Sequence, residues 1–437
     1  MESLPPELIS RVVDYIISDR DAGRHPRISL APYATLDRRW QAIIERQTFS
    51  DICINTTKRL EEFQRLVSTT HRRASIRIIA LRVELESYDV KARARFETDE
   101  ERQRNNKIFT TTISTLFRTL SGWSDIAGIH LGIRAQSPSD YLALKSNGEI
   151  KQRLREAKSR VNDLLSQRYE RSYLEFSRTT TDSECPPVFA IASLSIQGLA
   201  KERLIEPASS VLIASKLPRL NCVRLCMKDD CKRDEQLRER LRNELFSPFS
   251  PQDDDTNLPF WPNLIDVIVE YPQVTPSGEW LCQREPEEAV DDDTDDSYDY
   301  FLENENAYPE YVRIPLEDRK RNYFRTRIIA GSVDRFYLSA GRAALRMPKL
   351  REMRLVNTSR PEYSFEYKVQ AGRAKLIWSN EDMSDPSETD ASARLEKAKR
   401  IYQPDEQVFQ IWRKVALQHT GSELEVEFTE WGTWRIQ

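Results

Sequence analysis

Two apolar stripes at helical spacing lie within the first fifty positions. The first stripe consists of Leu8, Ile9, Val12, Val13 and Ile16, and the second consists of Tyr33, Leu36, Trp40, Ile43 and Ile44. Each predicts a short amphipathic helix, and residues 18–29 between them are polar and predict a break. Helices this short bury little apolar surface alone, so the pair must pack on a neighbour, either the rest of this chain or another chain.

A nine-residue pattern of apolar positions recurs through the remainder of the chain. Its clearest copies span residues 217–225, 261–269 and 347–355, and weaker copies without proline span residues 78–83, 123–131 and 188–196. Proline ends a preceding helix and sets an extended entry, and the last two apolar positions alternate as in a half-buried strand. Each copy therefore predicts a strand, and the three clearest are expected to lie parallel in one sheet.

Segments with helical periodicity separate these copies. Leucines and valine at helical spacing predict helices over residues 151–169 and 235–246. Near the end of the chain, residues 405–420 predict a further helix, and Gly421 suits its C-terminal cap. Leu424, Val426 and Phe428 then alternate with glutamates, which predicts a strand.

The alternation of strand, loop and helix resembles leucine-rich repeats, in which strands form a curved parallel sheet with helices outside. The spacing between copies is irregular, and the asparagine that usually closes each turn is missing, except at Asn357. The resemblance implies a degenerate solenoid with insertions. A non-repeating α/β domain with similar strands is the alternative.

The N-terminal residues carry a second resemblance. Leu4-Pro5-x-Glu7-Leu8, followed by the two apolar stripes, looks like an F-box, the helical motif that docks on the Skp adaptor of cullin-based ubiquitin ligases. The adaptor-binding residues that it implies are Leu4, Pro5, Leu8, Val12, Ile16, Leu36, Trp40 and Ile43. An insert over residues 19–29 lengthens the link between the helices, as in F-box proteins of filamentous fungi, and an Ala31-Pro32-Tyr33 step replaces the usual leucine-rich middle. The alternative is a plain helical hairpin that caps the remaining chain.

Together these patterns predict an α/β protein with two parts. Residues 1–48 would form an F-box-like helical motif, and residues 49–437 an irregular leucine-rich-repeat-like solenoid with a mainly parallel sheet and an acidic insertion at residues 285–306. In such sheets the residues between inward apolar positions face the open, concave side. The substrate-binding residues selected in this way are Arg82, Glu84, His130, Ser195, Arg224, Ile268, Glu270 and Arg354.

The resemblance implies the substrate-recognition subunit of a cullin-based ubiquitin ligase. Its partners would be the Skp adaptor, the cullin complex and a protein substrate of unknown identity, and no cofactor is expected. The alternative is an interaction scaffold that works without ubiquitin. No G-x-S-x-G, H-E-x-x-H or G-x-x-x-x-G-K motif is present, so enzymatic activity is not expected.

Composition narrows the remaining classes of function. Lys and Arg total 66 against 70 Asp and Glu, a net charge of −4 that argues against nucleic-acid binding. The 437 residues include 12 glycines, or about 3%, whereas the average glycine content is about 7%. This low content argues against glycine-rich phosphate loops. The N-terminus lacks the pattern of a secretory signal, and no apolar run is long enough for a membrane span. We therefore expect an intracellular chain, cytoplasmic or nuclear, without membrane attachment.

Two candidate metal sites fail on residue type and spacing. The run at residues 291–296 is aspartate-rich, but Asp296 stands where a calcium loop needs glycine, which favours a solvated insertion. Cys222, Cys226 and Cys231 cluster without a C-x-x-C pair, so buried free thiols are favoured over zinc. The basic residues at 91–95 alternate with acids at 97–101, which predicts a solvated charged face.

Overall fold

The structure is a computed structural model. It describes residues 4–21, 30–89, 92, 95–142, 168–169, 172–177, 179–196, 203–226, 260–271, 282–284, 325–328, 330–357, 363–380 and 404–430. The predicted helix at 235–246 and the acidic insertion at 285–306 lie outside the described residues. The same holds for the predicted helix at 151–169, except for Arg168 and Tyr169.

The described chain alternates helices and strands. The helices are α1 (Pro6–Asp21), α2 (Arg38–Thr48), α3 (Thr57–Leu66), α4 (Thr70–Ser75), α5 (Asp99–Ser121), α6 (Ser139–Leu142), α7 (Pro207–Ser215), α8 (Ala330–Ala344) and α9 (Glu406–Thr420). The strands are β1 (Asp51–Ile54), β2 (Ile78–Glu84), β3 (Ile129–Gln136), β4 (Ile191–Ile196), β5 (Cys222–Cys226), β6 (Asp266–Tyr271), β7 (Cys282–Arg284), β8 (Arg325–Ile328), β9 (Glu352–Asn357), β10 (Tyr363–Gln370), β11 (Arg373–Asn380) and β12 (Leu424–Glu430). A short 3-10 helix at Tyr33–Thr35 precedes α2.

Ten of these strands form one open, mostly parallel sheet. Its spatial order, β1-β2-β3-β4-β5-β6-β9-β10-β11-β12, follows the order of the strands along the chain, while β7 and β8 pair separately. Every neighbouring pair is parallel except β9–β10 and β10–β11, which are antiparallel. The parallel pairing predicted for β5, β6 and β9 is confirmed, and each copy of the nine-residue pattern ends in a strand of this sheet.

The strands bury alternate residues, as their sequence predicts. In β3 buried and half-buried residues alternate along the whole strand, and β2, β5, β6 and β9 show the same two-residue period. The buried side chains join one hydrophobic core with helices that include α3, α5 and α9. The opposite face of the sheet carries the polar and charged positions.

The helix predicted over residues 405–420 is confirmed as α9. Asp405 caps α9 with its carboxylate, which accepts a hydrogen bond from the Gln407 N–H, and Gly421 ends the helix at φ 68°, a left-handed conformation that glycine adopts without strain. The helix α1 continues to Asp21, so the polar break expected from residue 18 begins later than predicted. Polar residues lower helix propensity only modestly and do not end a helix by themselves.

Several elements were not predicted, among them the helix α5 and the hairpin β10–β11. The helix α5 packs an apolar stripe that includes Phe109, Ile113 and Leu116 against the sheet. The hairpin β10–β11 turns at Ala371 and Gly372, both at positive φ, and reverses strand direction beside β9. Among the described helices, none is both long and apolar enough to span a lipid bilayer.

Leu264 gives a direct test of the core, because it precedes β6 in the repeated pattern and is only 2% exposed. Replacing Leu264 by Ala should lower the free energy of unfolding by about 2–5 kcal/mol, since the core loses apolar contacts and gains a cavity. Urea denaturation followed by circular dichroism measures this loss. Leu417→Ala is the control, because Leu417 is 64% exposed and its truncation should cost little. Equal losses in the two variants would contradict the burial of Leu264.

Candidate functional site

The two N-terminal helices pack on each other around a small apolar cluster. Ile9 and Val13 of α1 and Ile44 of α2 are its buried members, and it is separate from the main core. Ile9 and Val13 lie four residues apart and share one face of α1. This inner stripe is therefore the surface that α1 uses to hold α2.

A second stripe of α1 points away from that cluster. Leu8 and Val12 are 44% and 42% exposed, although each is next in sequence to a buried residue. The other exposed apolar side chains of this module are Leu4, Tyr15 and Leu36. Leu8, Val12 and Tyr15 follow one another at helical spacing and share one face of α1, and exposed apolar side chains on one face are typical of a protein-binding surface. We call these three residues, together with exposed Leu4 and Leu36, the outer stripe.

The structure divides the eight residues predicted to bind an adaptor. Leu4, Pro5, Leu8, Val12 and Leu36 are exposed, whereas Ile16, Trp40 and Ile43 are half-buried. Trp40 and Ile43 pack against the small apolar cluster, and the Trp40 ring stacks on Tyr33 at 6.2 Å between ring centroids. These two residues hold the helices together and offer only part of their surface to a partner. Tyr15, 72% exposed and three residues after Val12, was missed although its helical spacing places it beside the outer stripe.

The helical module is joined to the sheet domain by a charged contact. The Glu45 carboxylate of α2 accepts a hydrogen bond from Arg72 at 2.8 Å and lies 2.7 Å from the His71 ring nitrogen Nε2. The Arg72 guanidinium also lies over the Phe49 ring, 5.1 Å from its centroid. Hydrogen bonding to Arg72 lowers the pKa of Glu45 to about 2, so this carboxylate stays charged at neutral pH. The contact restrains how the outer stripe is oriented relative to the sheet.

The eight residues predicted to bind substrate share the face of the sheet opposite the core. Strand register places Ser195, Arg224, Ile268 and Arg354 side by side across β4, β5, β6 and β9. The remaining four, which are Arg82, Glu84, His130 and Glu270, occupy the same face on β2, β3 and β6. We call this surface the open face.

Exposure varies along the open face. Glu84, Arg224 and Arg354 are exposed, most of the others are half-buried, and Ser195 is only 5% exposed. Ser195 is therefore not accessible in the way that the pattern predicted, because alternation assigns a side chain to a face but does not say what lies over it. The Arg354 side chain pairs with Glu352 of the same strand at 2.8 Å, whereas the Arg224 side chain makes no hydrogen bond to any residue that the structure describes.

A row of polar side chains on the open face resembles a catalytic arrangement in residue type only. His130 Nδ1 lies 2.9 Å from Ser193 Oγ, and Cys222 is next to Ser193 in register. Burial and the nearby Arg224 lower the pKa of His130, while burial raises the pKa of the Cys222 thiol. At neutral pH the imidazole is uncharged and the thiol stays protonated, whereas a cysteine nucleophile requires the thiolate. The row can therefore donate and accept hydrogen bonds, but it contains no activated cysteine.

A polar centre that the sequence did not predict lies where β2 and β3 end. Asp140 is 1% exposed, and its carboxylate accepts hydrogen bonds from the hydroxyls of Tyr88 at 2.5 Å and Tyr169 at 3.2 Å. Burial raises the pKa of Asp140, and these hydrogen bonds oppose the rise. A signal exists in retrospect, since Ser137-Pro138-Ser139-Asp140 directly follows a strand, and serine and aspartate at such a position bond to backbone N–H groups.

The same centre corrects the prediction of a solvated charged face at residues 91–101. The Glu97 side chain has no exposed surface and pairs with Arg203, whose side chain is equally buried. Glu101 is 15% exposed and pairs with both Arg95 and Arg168. The charge pattern predicted a solvated face, but Glu97 and Glu101 are drawn into ion pairs with Arg203 and Arg168, which lie far away in sequence. Within the described residues, no group of three or more His, Cys, Asp or Glu side chains could hold a metal ion.

Comparison with known proteins adds one match. Residues 322–435 match a family of unknown function, DUF6546. This segment includes the elements from β8 to β12, with α8 and α9, but it excludes the outer stripe and the polar centre at β2 and β3. No curated protein matches the chain, and no solved structure matches it either.

Proposed function

We propose that this chain is a substrate receptor of a cullin-based ubiquitin ligase. In this proposal the outer stripe binds the Skp adaptor, and the open face holds a protein substrate. The observation that carries the proposal is the outer stripe itself, because one face of α1 packs on α2 while the adjacent apolar face stays in water. The Leu-Pro-x-Glu-Leu start at Leu4 adds the resemblance to an F-box.

Burial of the outer stripe by a partner would stabilise the complex. Complete burial of one leucine or valine side chain is worth about 1.5–3 kcal/mol, and the stripe holds several such side chains only partly exposed. Covering them would provide a hydrophobic core for an interface, and the charged residues of the α1 surface would form its rim. Half-buried Trp40 and Ile43 would support this surface from beneath.

The open face is suited to a protein rather than to a polyanion. Its predicted binding residues include Arg82, Arg224 and Arg354 together with Glu84 and Glu270, so both charges are present. A mixed pattern of this kind gives specificity through a complementary pattern on the partner. The strands of the sheet lie in the order in which they occur along the chain. The α/β units would therefore form the substrate-binding solenoid that the resemblance to leucine-rich repeats implies.

The proposed mechanism is proximity. The receptor holds the adaptor at one end and the substrate at another, which raises the effective concentration of the substrate near the ubiquitin-transfer subunits. The Glu45–Arg72 contact would restrain the distance between the two sites. The reacting groups would belong to other subunits.

Affinity purification of the tagged full chain from its native cells, followed by mass spectrometry, tests the proposal. We expect peptides of the Skp adaptor and of a cullin in the purified material, at levels that depend on the outer stripe. Reproducible partners without either subunit would contradict the ligase proposal and favour a scaffold that works without ubiquitin.

Substrate binding at the open face can be tested separately from adaptor binding. Replacing Arg224 and Arg354 together by Glu should reduce substrate capture at least about tenfold, because two cations on either side of Ile268 become anions on one surface. Adaptor binding should stay unchanged, since both residues lie away from the N-terminal module. Quantitative pull-downs measure both partners in one sample. Unchanged capture would exclude the open face as the substrate site.

A further inference from the structure

A small cavity lies at the carboxyl ends of β2 and β3, away from the outer stripe. Its volume is about 250 Å³, and residues after β2 and in the first turns of α5 line it together with Arg168. The lining includes three arginines, Arg95, Arg104 and Arg168, and three carboxylates, Glu86, Asp89 and Glu101. Loops at this end of a sheet are where binding residues commonly gather.

Arg168 is the central observation, because it is 2% exposed and incompletely hydrogen-bonded. One terminal nitrogen donates to the Ala92 carbonyl, and the other lies 3.1 Å from Glu101. The Arg168 Nε–H has no acceptor in the part of the chain that the structure describes. A buried donor without a partner is destabilising, so an acceptor that reached it would be bound favourably.

The Arg168 side chain is held firmly in place. Its guanidinium lies over the Tyr88 ring at 4.2 Å and near the Tyr169 ring at 5.8 Å. The hydroxyls of both tyrosines donate to Asp140, which fixes the two rings. A donor fixed in this way loses little conformational entropy when it binds a ligand.

The carboxylates of the lining are already used. Glu101 accepts hydrogen bonds from Arg95 and from the Thr98 backbone, Asp89 accepts one from the Ala92 backbone, and Glu86 accepts one from Arg104 Nε at 2.7 Å. The terminal nitrogens of half-exposed Arg104 have no acceptor among the described residues. Each carboxylate of the lining therefore already accepts a hydrogen bond, whereas Arg104 and Arg168 keep N–H groups without an acceptor among the described residues.

We propose that this cavity binds a carboxylate group carried by a small ligand. Guanidinium groups match the planar carboxylate, and the resident acids would repel a doubly charged phosphate more strongly than a single carboxylate. The volume equals that of roughly eight water molecules, which suits one terminal residue of a peptide or a small organic acid but not a nucleotide. This proposal does not depend on the ligase proposal, since it involves neither the outer stripe nor the open face.

Calorimetric titration of the full chain tests the site with four probes. N-acetylglycine represents a peptide C-terminus, lactate a free organic acid with a single carboxylate, N-acetylglycinamide the uncharged control, and inorganic phosphate the competing anion. We expect binding of at least one carboxylate probe and at least tenfold weaker binding of both the amide and phosphate. Preference for N-acetylglycine would identify a peptide terminus as the source, and preference for lactate a free acid.

Two variants connect the binding to the cavity. Arg104→Gln removes spare donors at a half-exposed position and should weaken the carboxylate probe about tenfold. Arg168→Lys keeps the charge but removes the guanidinium, and circular dichroism checks its fold. Arg219→Gln is the matched control, because Arg219 is an exposed arginine that precedes β5 at the other end of the strands, and it should leave binding unchanged. The proposal is overturned if no carboxylate probe binds, if the amide or phosphate binds equally well, or if Arg104→Gln has no more effect than the control.

Discussion

Replacing Leu8 and Val12 together by Asp should abolish copurification of the Skp adaptor, with a loss of affinity of at least about 100-fold. Both side chains are more than two-fifths exposed in the free chain and lie in the middle of the outer stripe. Two carboxylates placed in an apolar interface would lose their hydration without gaining partners. A change of about 2.7 kcal/mol already corresponds to 100-fold, and single central residues of interfaces reach comparable values.

The fold of the variant should survive, because the buried stripe formed by Ile9 and Val13 is untouched. Circular dichroism and the thermal transition check this directly. Leu417→Asp is the control, because Leu417 is also an exposed apolar side chain but lies on α9, far from Leu8 and Val12 in the chain. This control variant should leave adaptor binding intact. Persistent adaptor binding by a folded double variant would refute the assignment of the outer stripe, and a lost transition would favour the view that these helices cap the remaining chain.

The second large effect concerns stability. Glu97→Leu should lower the free energy of unfolding by about 3–5 kcal/mol, because it leaves the fully buried Arg203 guanidinium without its carboxylate. Arg203 also donates to the Ser172 carbonyl at 2.8 Å and lies 4.2 Å from the Tyr169 ring, so it cannot turn out to solvent without breaking other contacts. Urea denaturation at neutral pH measures the loss.

The double variant Glu97→Leu with Arg203→Leu should recover much of that stability, because it leaves neither charge unpaired. An exposed pair supplies the control: Arg413→Leu next to Glu406, where both side chains are more than half exposed, should cost no more than about 1 kcal/mol. A loss below about 1 kcal/mol for Glu97→Leu, or strict additivity in the double variant, would show that the pair is not buried as described.

Local patterns explain why much of the sheet could be predicted. Met353 and Leu355 alternate with the charged residues Glu352 and Arg354, and a two-residue period leaves only one way to place such a segment with one face in a core. Helix α9 could also be predicted from the sequence, because its cap residues Asp405 and Gly421 are local signals. The parallel order of the strands followed from the helical segments between them.

The hairpin β10–β11 could be predicted only in part from local patterns. Aromatic and polar residues alternate in β10 and the turn contains Gly372, so strands could have been proposed there. The antiparallel pairing of β10 with β9 is a feature of the tertiary structure. The predicted binding residues show the same division. Alternation assigned Ser195 to the open face, yet its burial is set by neighbours that no local pattern specifies.

The sequence by itself determined the strands that end the nine-residue pattern, the face on which their side chains lie and the apolar stripe of α1, because these follow from periods of two and of about 3.6 residues. Only the tertiary structure decided which residues of the α1 stripe are buried, since Ile9 and Leu8 are chemically alike and differ in where α2 packs. It also decided the polar centre at β2 and β3. Arg168 and Arg203 meet Glu101 and Glu97 there across many residues of chain, and burial of an ion pair is a property of the surrounding fold rather than of either residue.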